Sequence, residues 1–484
     1  MSKTPVLIWF RQDLRLSDNP ALSAAYDSGH PVIPIYILDD NNAKEWKMGG
    51  ASRCWLHHAL KNLNKDLSDH LVLEKGCAEK IIPELIKKTG AKGIYWNRCY
   101  EPWRIKRDKE IKTALEESDI EVHSSNGSLL WEPWTIKNQS GKPYKVFTPY
   151  YRKGCLQAPP PRQPLPRPSR LTYGDTKSMG VPLDDLNLLP SKPEPRWDKK
   201  MEKHWTISEE GAQTRLSGFL DDGLKDYKKG RDHPADNNTS RLSPYLHFGQ
   251  ISPNQAWYAA QQRGAAEGWE NDRDHFLSEL GWREFSYSLL YHFPSITWEN
   301  LQERFNDFPW LSQESNDLKK WQQGQTGYPI VDAGMRQLWE TGYMHNRVRM
   351  IVGSFLVKNM LTHWHRGEEW FWDCLVDADL ASNAASWQWI AGCGADAAPF
   401  FRIFNPTLQS KKFDENGEYI RQFVPELKHM PDKHIHAPWE APEDVLKEAK
   451  IELGKTYPKP MMDHGAARDR ALEAFKSTKI GEAA

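Results

Sequence analysis

Four short apolar runs in the first hundred residues constrain the fold more than any other feature of this sequence. They read VLIWF from Val6, VIPIYIL from Val32, LVLEKG from Leu71 and GIYWN from Gly93, and segments long enough for a helix separate them. Continuous apolar strands are typical of a parallel sheet covered on both faces, and the intervening helices provide its crossovers. The sequence therefore predicts a doubly wound parallel α/β domain over residues 1–135.

Beyond this domain the pattern changes twice. The segment PPPRQPLPRP from Pro159 is typical of an extended connection and little periodic pattern surrounds it, so we predict a Pro-rich interdomain linker over residues 136–204. Later segments such as FLSELGWREFSYSLLYHF and VDAGMRQLWETGY have helical periodicity, which predicts a larger all-α domain over residues 205–475. No G-x-G-x-x-G follows the first strand, which argues against an ordinary dinucleotide site in the sheet domain.

Composition limits the partners and the compartment. The net charge is -1, so a nucleic acid would have to be held by a local basic patch. The six cysteines show no C-x-x-C pair, which favours free thiols in a reducing compartment, and we predict no metal site. The apolar part of MSKTPVLIWFRQDLRL is too short for a signal peptide, and no run reaches membrane-spanning length. We expect a soluble, cytoplasmic protein without a membrane partner.

The segment NNTSRLSPYLHFGQIS, residues 237–252, is a candidate anion site. Thr239, Ser240 and Ser243 directly precede Pro244, a residue favoured in the first turn of a helix. Hydroxyls beside the free N–H groups of a helix N-terminus suit a diphosphate. Plain helix capping explains the same residues, and this segment alone favours capping.

The segment SELGWREF places Glu279, Trp282, Arg283 and Ser286 on one helical face. A carboxylate beside an indole can hydrogen-bond and stack a nucleobase. A surface ion pair between Glu279 and Arg283, with Trp282 in the core, is the simpler explanation of this segment alone.

The segment GYMHNRVRMIVGSF sets Asn346 and Met350 four residues apart, with Arg347 and Arg349 beside them. The Asn amide offers a hydrogen-bonding edge to a base, and the polarizable Met side chain can fill the space beneath it. A solvated basic turn that enters a core helix is the alternative.

The segment DADLASNAASWQW, residues 377–389, combines carboxylates, an amide, alanines and two indoles. Asp379 and Asn383 lie one turn apart and could grip the edge of a ring system, while the alanines would leave room for a large ligand. Asp377 and Asp379 could instead be N-terminal carboxylates that favour the helix dipole. Phosphate donors, a ring clamp and a base-reading face together are harder to explain by packing than any one of them.

These motifs together resemble the photolyase/cryptochrome family, and within it the class I cyclobutane pyrimidine dimer (CPD) photolyases of bacteria. The resemblance runs nearly end to end through WFRQDLRLSDNPAL, TSRLSPYL, WREF, TGYPIVDAGMRQL, HNRVRM, DADLASNAASWQW, DAAPFFRIFNP and TYPKP. It implies a light-driven carbon–carbon lyase, a monomer that repairs CPD lesions in single- or double-stranded DNA. A cryptochrome photoreceptor is the main alternative, and a dark flavoprotein electron-transfer enzyme is a further one.

The resemblance implies FAD, active as FADH⁻, bound in the helical domain. It implies that Arg349 pairs with Asp377 beside the isoalloxazine, that Asp379 holds the pyrimidine edge, and that Asn383 lies at flavin N5. The cofactor-binding residues implied in this way are Tyr227, Thr239, Ser240, Arg241, Leu242, Ser243, Arg349, Asp377, Ala378, Asp379 and Asn383.

An electron relay to a buried flavin is implied as well. The resemblance assigns it to Trp387, then Trp364, then Trp310 at the surface, and Trp321 competes with Trp310 for the last position.

The resemblance also assigns the lesion contacts. Glu279 would hydrogen-bond the base and stabilise its radical anion, and Asn346 with Met350 favour a CPD over a (6-4) lesion. The implied DNA or lesion contacts are Arg231, Glu279, Trp282, Arg283, Asn346, Arg347, Met350, Trp389, Arg402, Gln409 and Lys411.

A second, light-harvesting chromophore is left open. Folate-binding members carry an Asn-Glu pair where this chain has Trp103 and Arg104. Methenyltetrahydrofolate, 8-hydroxy-5-deazaflavin, a second flavin or no antenna at all remain alternatives.

Overall fold

Five parallel strands form the N-terminal sheet in a computed structural model that describes residues 3–191, 196–311, 316–397 and 399–480. The strands lie in the order β3-β2-β1-β4-β5. The chain thus runs outward from β1 to β3 and returns to β4 on the other side of β1, which confirms the predicted doubly wound sheet. The strands are β1 (Val6–Phe10), β2 (Val32–Leu38), β3 (Val72–Lys75), β4 (Gly93–Asn97) and β5 (Glu121–Ser125).

Burial on both faces explains the continuous apolar runs. Every residue of β1 and β2 is buried, whereas β5, at the edge of the sheet, is partly exposed. Trp9, Ile35 and Trp96 belong to one hydrophobic cluster that also contains Ile82 and Leu115 from the covering helices. These helices are α1 (Pro20–Asp27), α2 (Asp40–Ala43), α3 (Gly50–Asp66), α4 (Ala78–Thr89) and α5 (Pro102–Glu116).

The described residues after β5 form helices and irregular segments without a further strand, which confirms the helical C-terminal part. Single π-helical turns lie at Tyr150–Gly154, Phe219–Gly223 and Phe355–Asn359. The shorter α-helices are α6 (Phe147–Pro149), α7 (Asp198–Glu202), α9 (Tyr227–Gly230), α10 (Ser243–His247), α13 (Asn316–Gln322), α19 (Glu418–Phe423), α20 (Asp432–Ile435) and α21 (Glu443–Glu448). The longer ones are α8 (Glu209–Gly218), α11 (Pro253–Glu267), α12 (Glu270–His292), α14 (Pro329–Thr341), α15 (Asn346–Ser354), α16 (Trp364–Cys374), α17 (Leu380–Ala391), α18 (Pro406–Phe413) and α22 (His464–Ile480).

The predicted linker lies along the sheet. The amide of Val32 in β2 donates to the carbonyl of Thr172 at 2.8 Å, and the amide of Gly174 donates back to Val32 at 2.9 Å. These two bonds attach an irregular segment to a buried strand. They pair backbone groups of a segment that has no helix or sheet of its own at this point. Residues 192–195 of the predicted linker lie outside the described residues.

The chain divides into two compact units whose limits differ from the predicted domain boundaries at residues 135 and 204. Those boundaries stay predictions. The first unit comprises Met1–Lys225, Ser240–Pro294 and Val376–Asp379. The second comprises Asp226–Thr239, Ser295–Leu375 and Leu380–Ala484. Over the described ranges we find no helix with the length and apolar character needed to cross a membrane.

Candidate functional site

A buried carboxylate, Asp379, is the centre of a polar cluster in the first unit. Its Oδ2 atom accepts a hydrogen bond from the Tyr287 hydroxyl and lies 3.6 Å from Nδ1 of His247. Burial alone would raise the pKa of this carboxyl group, but His247, Arg283 and Tyr287 lower it well below its ordinary value. Asp379 is therefore a permanently charged acceptor, which suits the N–H edge of a heteroaromatic ring.

In the predicted anion segment, some residues make hydrogen bonds through their hydroxyl groups and others through their backbone. Ser243 begins α10, and its hydroxyl donates to Oδ2 of Asp377 at 2.6 Å. The N-cap residue of this helix, Leu242, makes no side-chain capping bond, but its backbone N–H donates to the Ser240 hydroxyl at 3.4 Å, so one of the hydroxyls has a local backbone partner. Leu242 is fully buried, so its side chain belongs to the core.

The remaining residues of this set have partners of their own. The carbonyl of Ser240 accepts from Nε of Arg215 at 3.0 Å. The Arg241 guanidinium lies 5.8 Å from the centre of the Trp205 ring. Tyr227 and Thr239 belong to the second unit. Tyr227 is buried and its ring centre lies 5.6 Å from the Arg231 guanidinium, whereas Thr239 is partly buried.

Asn383, in the second unit, presents its amide in a defined orientation. Its Nδ2 atom donates to the backbone carbonyl of Glu368 at 3.1 Å, which leaves the side-chain carbonyl oxygen as the acceptor toward a ligand. The Glu368 side chain is buried, and burial raises the pKa of its carboxyl group well above the ordinary value. Asn383 is thus suited to accept one hydrogen bond from a ring N–H group.

The alanines of this segment serve helix packing. Ala381 and Ala384 are completely buried, and α17 packs against α15 and α16. Their small side chains allow the helices to approach, and the expectation that they also leave room for a ligand stays a prediction. Ala378, Asp377 and Asp379 precede α17, are largely buried and belong to the first unit.

Trp387 packs on the backbone of α16 within the second unit. A Cβ atom at Gly367 would lie 2.0 Å from Cη2 of the indole, so only glycine admits the ring there. Gly367 follows Trp364 by three residues in the same helix. The Trp387 ring, which packs on Gly367, therefore lies about one helical turn from the position of Trp364 on α16.

An aromatic path leads from Trp364 toward the surface. The Trp364 indole is buried and donates to Oδ1 of Asn300 at 2.9 Å. The ring centres of Trp364 and His363 are 5.6 Å apart, and those of His363 and Trp310 are 5.2 Å apart. Trp310 is partly exposed, whereas Trp321 is completely buried, so Trp310 is the better candidate for the surface end.

Two of the predicted lesion residues lie on α12, on the part exposed to solvent. Glu279 and Trp282 are both partly exposed, and the Trp282 ring stacks on Phe147 with centres 3.8 Å apart and planes at 11°. Phe147 fixes the orientation of an indole that can still offer a flat surface to a base.

Arg283, next along the same helix, makes contacts within the protein. Its side chain is only 13% exposed, and Nη1 donates to the carbonyl of Ser128 at 2.8 Å. It also lies 4.9 Å from the Tyr287 ring and lowers the pKa of Asp379. The guanidinium thus contacts the polar cluster around Asp379, and the predicted phosphate or lesion-rim contact stays a prediction.

The second unit carries the other predicted lesion contacts. Asn346 is exposed at the first position of α15, with the partly exposed Met350 one turn later on the same face. Arg347 pairs with Asp232 at 2.8 Å, and Nε of Arg349 donates to the carbonyl of Met344 at 2.8 Å. Arg402 and Lys411 are exposed, and Arg231, Trp389 and Gln409 are partly exposed.

A buried lysine anchors the segment that carries Arg402. Lys358 is completely buried, and Nζ donates to the backbone carbonyl of Arg402 at 3.0 Å. Burial, together with the smaller effect of the nearby Arg402 charge, lowers the pKa of this amine to about 7.

Stability should therefore rise with pH above neutrality through Lys358. The unfolded chain keeps the proton up to the ordinary pKa of 10.5, whereas the folded chain loses it near pH 7. Unfolded chains thus bind more protons in this window, and the free energy of unfolding should increase by a few kcal/mol across it. Lys358→Met should remove that increase in thermal or urea unfolding at neutral and alkaline pH. The exposed Lys433→Met variant should keep the wild-type pH dependence, and an unchanged profile in Lys358→Met would contradict the assignment.

Several residues of these clusters were missed by the sequence analysis. Tyr287 follows Arg283 by four residues in α12, so its periodicity could have revealed it. Gly367 and His363 gave no such signal, because their roles depend on rings contributed by other segments. The missed residues are Phe147, His247, Tyr287, His363, Gly367, Glu368 and Lys358.

At the predicted antenna position, Trp103 and Arg104 lie in a cluster of charged side chains. The Trp103 ring lies 4.6 Å from the Arg104 guanidinium and 5.0 Å from that of Arg107, and Nε of Arg104 lies 3.3 Å from Glu101. The residues that replace the folate-type Asn-Glu pair are thus engaged with one another.

Comparisons with known proteins cover nearly the whole chain. Residues 6–169 match the family model for DNA photolyase, and residues 276–477 match the FAD binding domain of DNA photolyase. The chain is 49% identical to the deoxyribodipyrimidine photo-lyase of Agrobacterium fabrum, with 99% of each chain covered. It is 39% identical to cryptochrome-2 of Arabidopsis thaliana, over 98% of this chain and 79% of that protein.

A solved structure agrees with these relatives. The crystal structure of a bacterial class III photolyase from Agrobacterium tumefaciens matches with a TM-score of 0.94 at 49% identity, over 99% of this chain and 98% of the other. The predicted class I subtype is not confirmed by this match. The chain has an FAD-binding domain in its helical part, and it belongs to the photolyase/cryptochrome family.

Proposed function

We propose that this protein repairs cyclobutane pyrimidine dimers in DNA by light-driven electron transfer, and that it is a class III rather than a class I photolyase. The observation that carries the proposal is the partly exposed pair Glu279 and Trp282 on α12, in a chain 49% identical to a photolyase over its whole length. The match to a class III structure supports the subtype.

The described residues fit a flavin. Asp379 is a buried, charged acceptor for a ring N–H edge, and Asn383 presents a carbonyl oxygen to a second ring N–H group. Bound reduced FAD, as FADH⁻, would supply one electron on excitation and recover it after the dimer splits. Because an amide cannot readily release a proton, Asn383 would help the flavin to stay anionic. The predicted pairing of Arg349 with Asp377 joins residues of both units and remains a prediction.

The lesion-binding residues would act on a base extruded from the duplex, which costs least at an already distorted step. Trp282, held by Phe147, would stack on the lesion, and Glu279 would hydrogen-bond it. Asn346 and Met350 support a CPD rather than a (6-4) lesion. Binding through exposed cations such as Arg402 and Lys411 should weaken as salt rises.

The cryptochrome alternative is less well supported. Cryptochrome-2 is the more distant relative, at 39% against 49% identity, and this chain retains Glu279, Trp282, Asn346 and Met350. A photoreceptor would have no need of a base-stacking surface on α12.

The direct test is repair of an oligonucleotide that contains one thymine dimer. Protein with chemically reduced flavin should restore the dimer to thymines under blue or near-ultraviolet light and not in darkness. Equal repair in darkness, or none in the light, would reject the proposal. The spectrum of chromophores released by denaturation will distinguish the predicted folate or deazaflavin antenna from a flavin. The amount of FAD per chain will separate the remaining alternatives, since two FAD per chain would indicate a flavin antenna and one would indicate that none is present.

Glu279→Ala should lower the quantum yield of repair several-fold and change lesion affinity less. The carboxyl group helps most when the dimer carries the additional electron, since hydrogen bonds to charged groups are the stronger ones. The measurement compares the repair yield per absorbed photon with the dissociation constant for the damaged oligonucleotide. Glu270→Ala, at the exposed start of the same helix, is the control. A large loss of affinity at an unchanged yield would contradict this role for Glu279.

A further inference from the structure

Four metal-ligating side chains meet between α3 and α7 in the first unit. Cys54 and His58 are four residues apart on α3, and Asp198 and Glu202 are four residues apart on α7. This spacing places both members of each pair on one face of their helix. The two faces meet, since Nε2 of His58 lies 3.2 Å from Oε1 of Glu202 and Sγ of Cys54 lies 3.4 Å from Oδ2 of Asp198.

We propose that Cys54, His58 and Glu202 bind a structural divalent metal ion, most favourably Zn²⁺. The candidate ligand atoms of these three residues lie within 4.8 Å of one another. Tetrahedral zinc with bond lengths of about 2.0–2.3 Å places its ligands about 3.5 Å apart, so small side-chain rotations suffice. A thiolate with an imidazole and one carboxylate oxygen is a donor set that zinc prefers over magnesium or calcium.

The surrounding charges are compatible with a divalent ion. Arg196 forms an ion pair with Asp198 and lies 3.7 Å from Oε1 of Glu202. Lys199, with a side chain 55% exposed, also donates to the two carboxylate oxygens of Glu202 at 3.1 and 3.0 Å. If this lysine turns to solvent when the metal binds and Arg196 neutralises Asp198, the thiolate of Cys54 and the carboxylate of Glu202 balance the two charges of the metal. Asp198 then remains beside the site and can accept a hydrogen bond from a metal-bound water in the fourth position.

The site is accessible from solvent on one side only. Cys54 and Asp198 are completely buried, whereas the side chains of His58 and Glu202 are 25% and 22% exposed. Metal could therefore enter past His58 and Glu202 and reach the sulfur behind them. On binding, the Cys54 thiol gives its proton to solvent and the S–H bond is replaced by the sulfur–metal bond.

The site would join the predicted linker to the sheet domain. The described part of the segment from residue 136 to 204 has little regular structure, and α7 lies near its end, with Asp198 144 residues after Cys54. A metal shared by α3 and α7 would fix this segment to the core by closing a long loop. No metal site was predicted from the sequence, because one Cys and one His four residues apart are not a recognisable metal motif and Glu202 lies far along the chain from both.

Zinc titration of the full-length flavoprotein tests the proposal. Protein stripped with a chelator should take up one zinc per chain by elemental analysis, and its melting temperature should rise with added zinc. Bound Co²⁺ should give a thiolate-to-cobalt absorption band in the difference spectrum. Cys54→Ser should lose the band, and His58→Ala and Glu202→Gln should lose the zinc and the thermal shift.

A matched control is Cys77→Ser, since Sγ of Cys77 contacts Oε2 of Glu79 at 2.9 Å in the same unit. It should bind zinc and cobalt like the wild type. His58→Ala and Glu202→Gln alter partly exposed side chains, so they keep the test decisive if Cys54→Ser does not fold. Zinc uptake that is absent in the wild type, or unchanged in these two variants, would overturn the proposal.

Discussion

Trp387→Phe is expected to abolish the light-driven reduction of oxidised FAD and to leave repair by chemically reduced protein intact. Phenylalanine keeps an aromatic ring over Gly367 but is far harder to oxidise than an indole, so the first step of the relay is lost. Repair needs only the reduced flavin and the lesion-binding residues, which this substitution does not touch. Photoreduction is followed by the loss of oxidised-flavin absorbance under blue light, and repair by the thymine-dimer assay.

Trp321→Phe is the matched control for this prediction. Trp321 is also buried, and its ring centre lies 6.5 Å from that of Trp387. Its indole donates to the carbonyl of Val352 at 3.2 Å, and its ring stacks on Phe371 with centres 6.4 Å apart. We expect photoreduction to survive in Trp321→Phe. Loss of repair in chemically reduced Trp387→Phe, or full photoreduction in it, would contradict the relay.

Asp379→Asn is expected to weaken FAD binding by about tenfold to a hundredfold. A hydrogen bond to a charged group contributes about 1.5–3 kcal/mol, and about 1.4 kcal/mol corresponds to a factor of ten in affinity. The asparagine oxygen can still accept from the Tyr287 hydroxyl, so the fold of this cluster should persist while the negative charge is lost. The flavin content of purified protein and the dissociation constant of the apoprotein for FAD measure the effect.

The exposed Asp373→Asn variant on α16 is the control, and it should retain wild-type flavin content. Circular dichroism of Asp379→Asn should match the wild type, which separates lost affinity from lost structure. If Asp379→Asn binds FAD as tightly as the wild type, Asp379 does not hold the cofactor and the assignment from the resemblance is wrong.

The sheet could be predicted because the burial of a strand determines which residue types it contains. A strand such as β1, covered on both faces, must be apolar at every position, and that pattern is visible without knowledge of its neighbours. The irregular linker was visible for the converse reason, since Pro159 and the residues after it lack any period. What the pattern did not reveal is that this linker hydrogen-bonds to β2 through Val32.

The predicted site residues also form two groups, those that lie within one helix and those whose contacts depend on distant segments. Spacing within one helix shows that Glu279 shares a face with Trp282 and Asn346 with Met350, but their predicted roles came from the resemblance to the family. The orientation of Arg283 toward Asp379 could not be found from spacing, because it depends on how α12 faces a segment almost a hundred residues later.

The sequence by itself determined the parallel sheet, the helical C-terminal part and the family, because each follows from patterns confined to short segments. Only the tertiary structure decided that Trp310 rather than Trp321 is exposed, that Ala381 and Ala384 pack helices, and that Cys54 meets Glu202. The physical reason is that periodicity records which face of an element is buried, whereas the identity of the covering group depends on packing between distant segments.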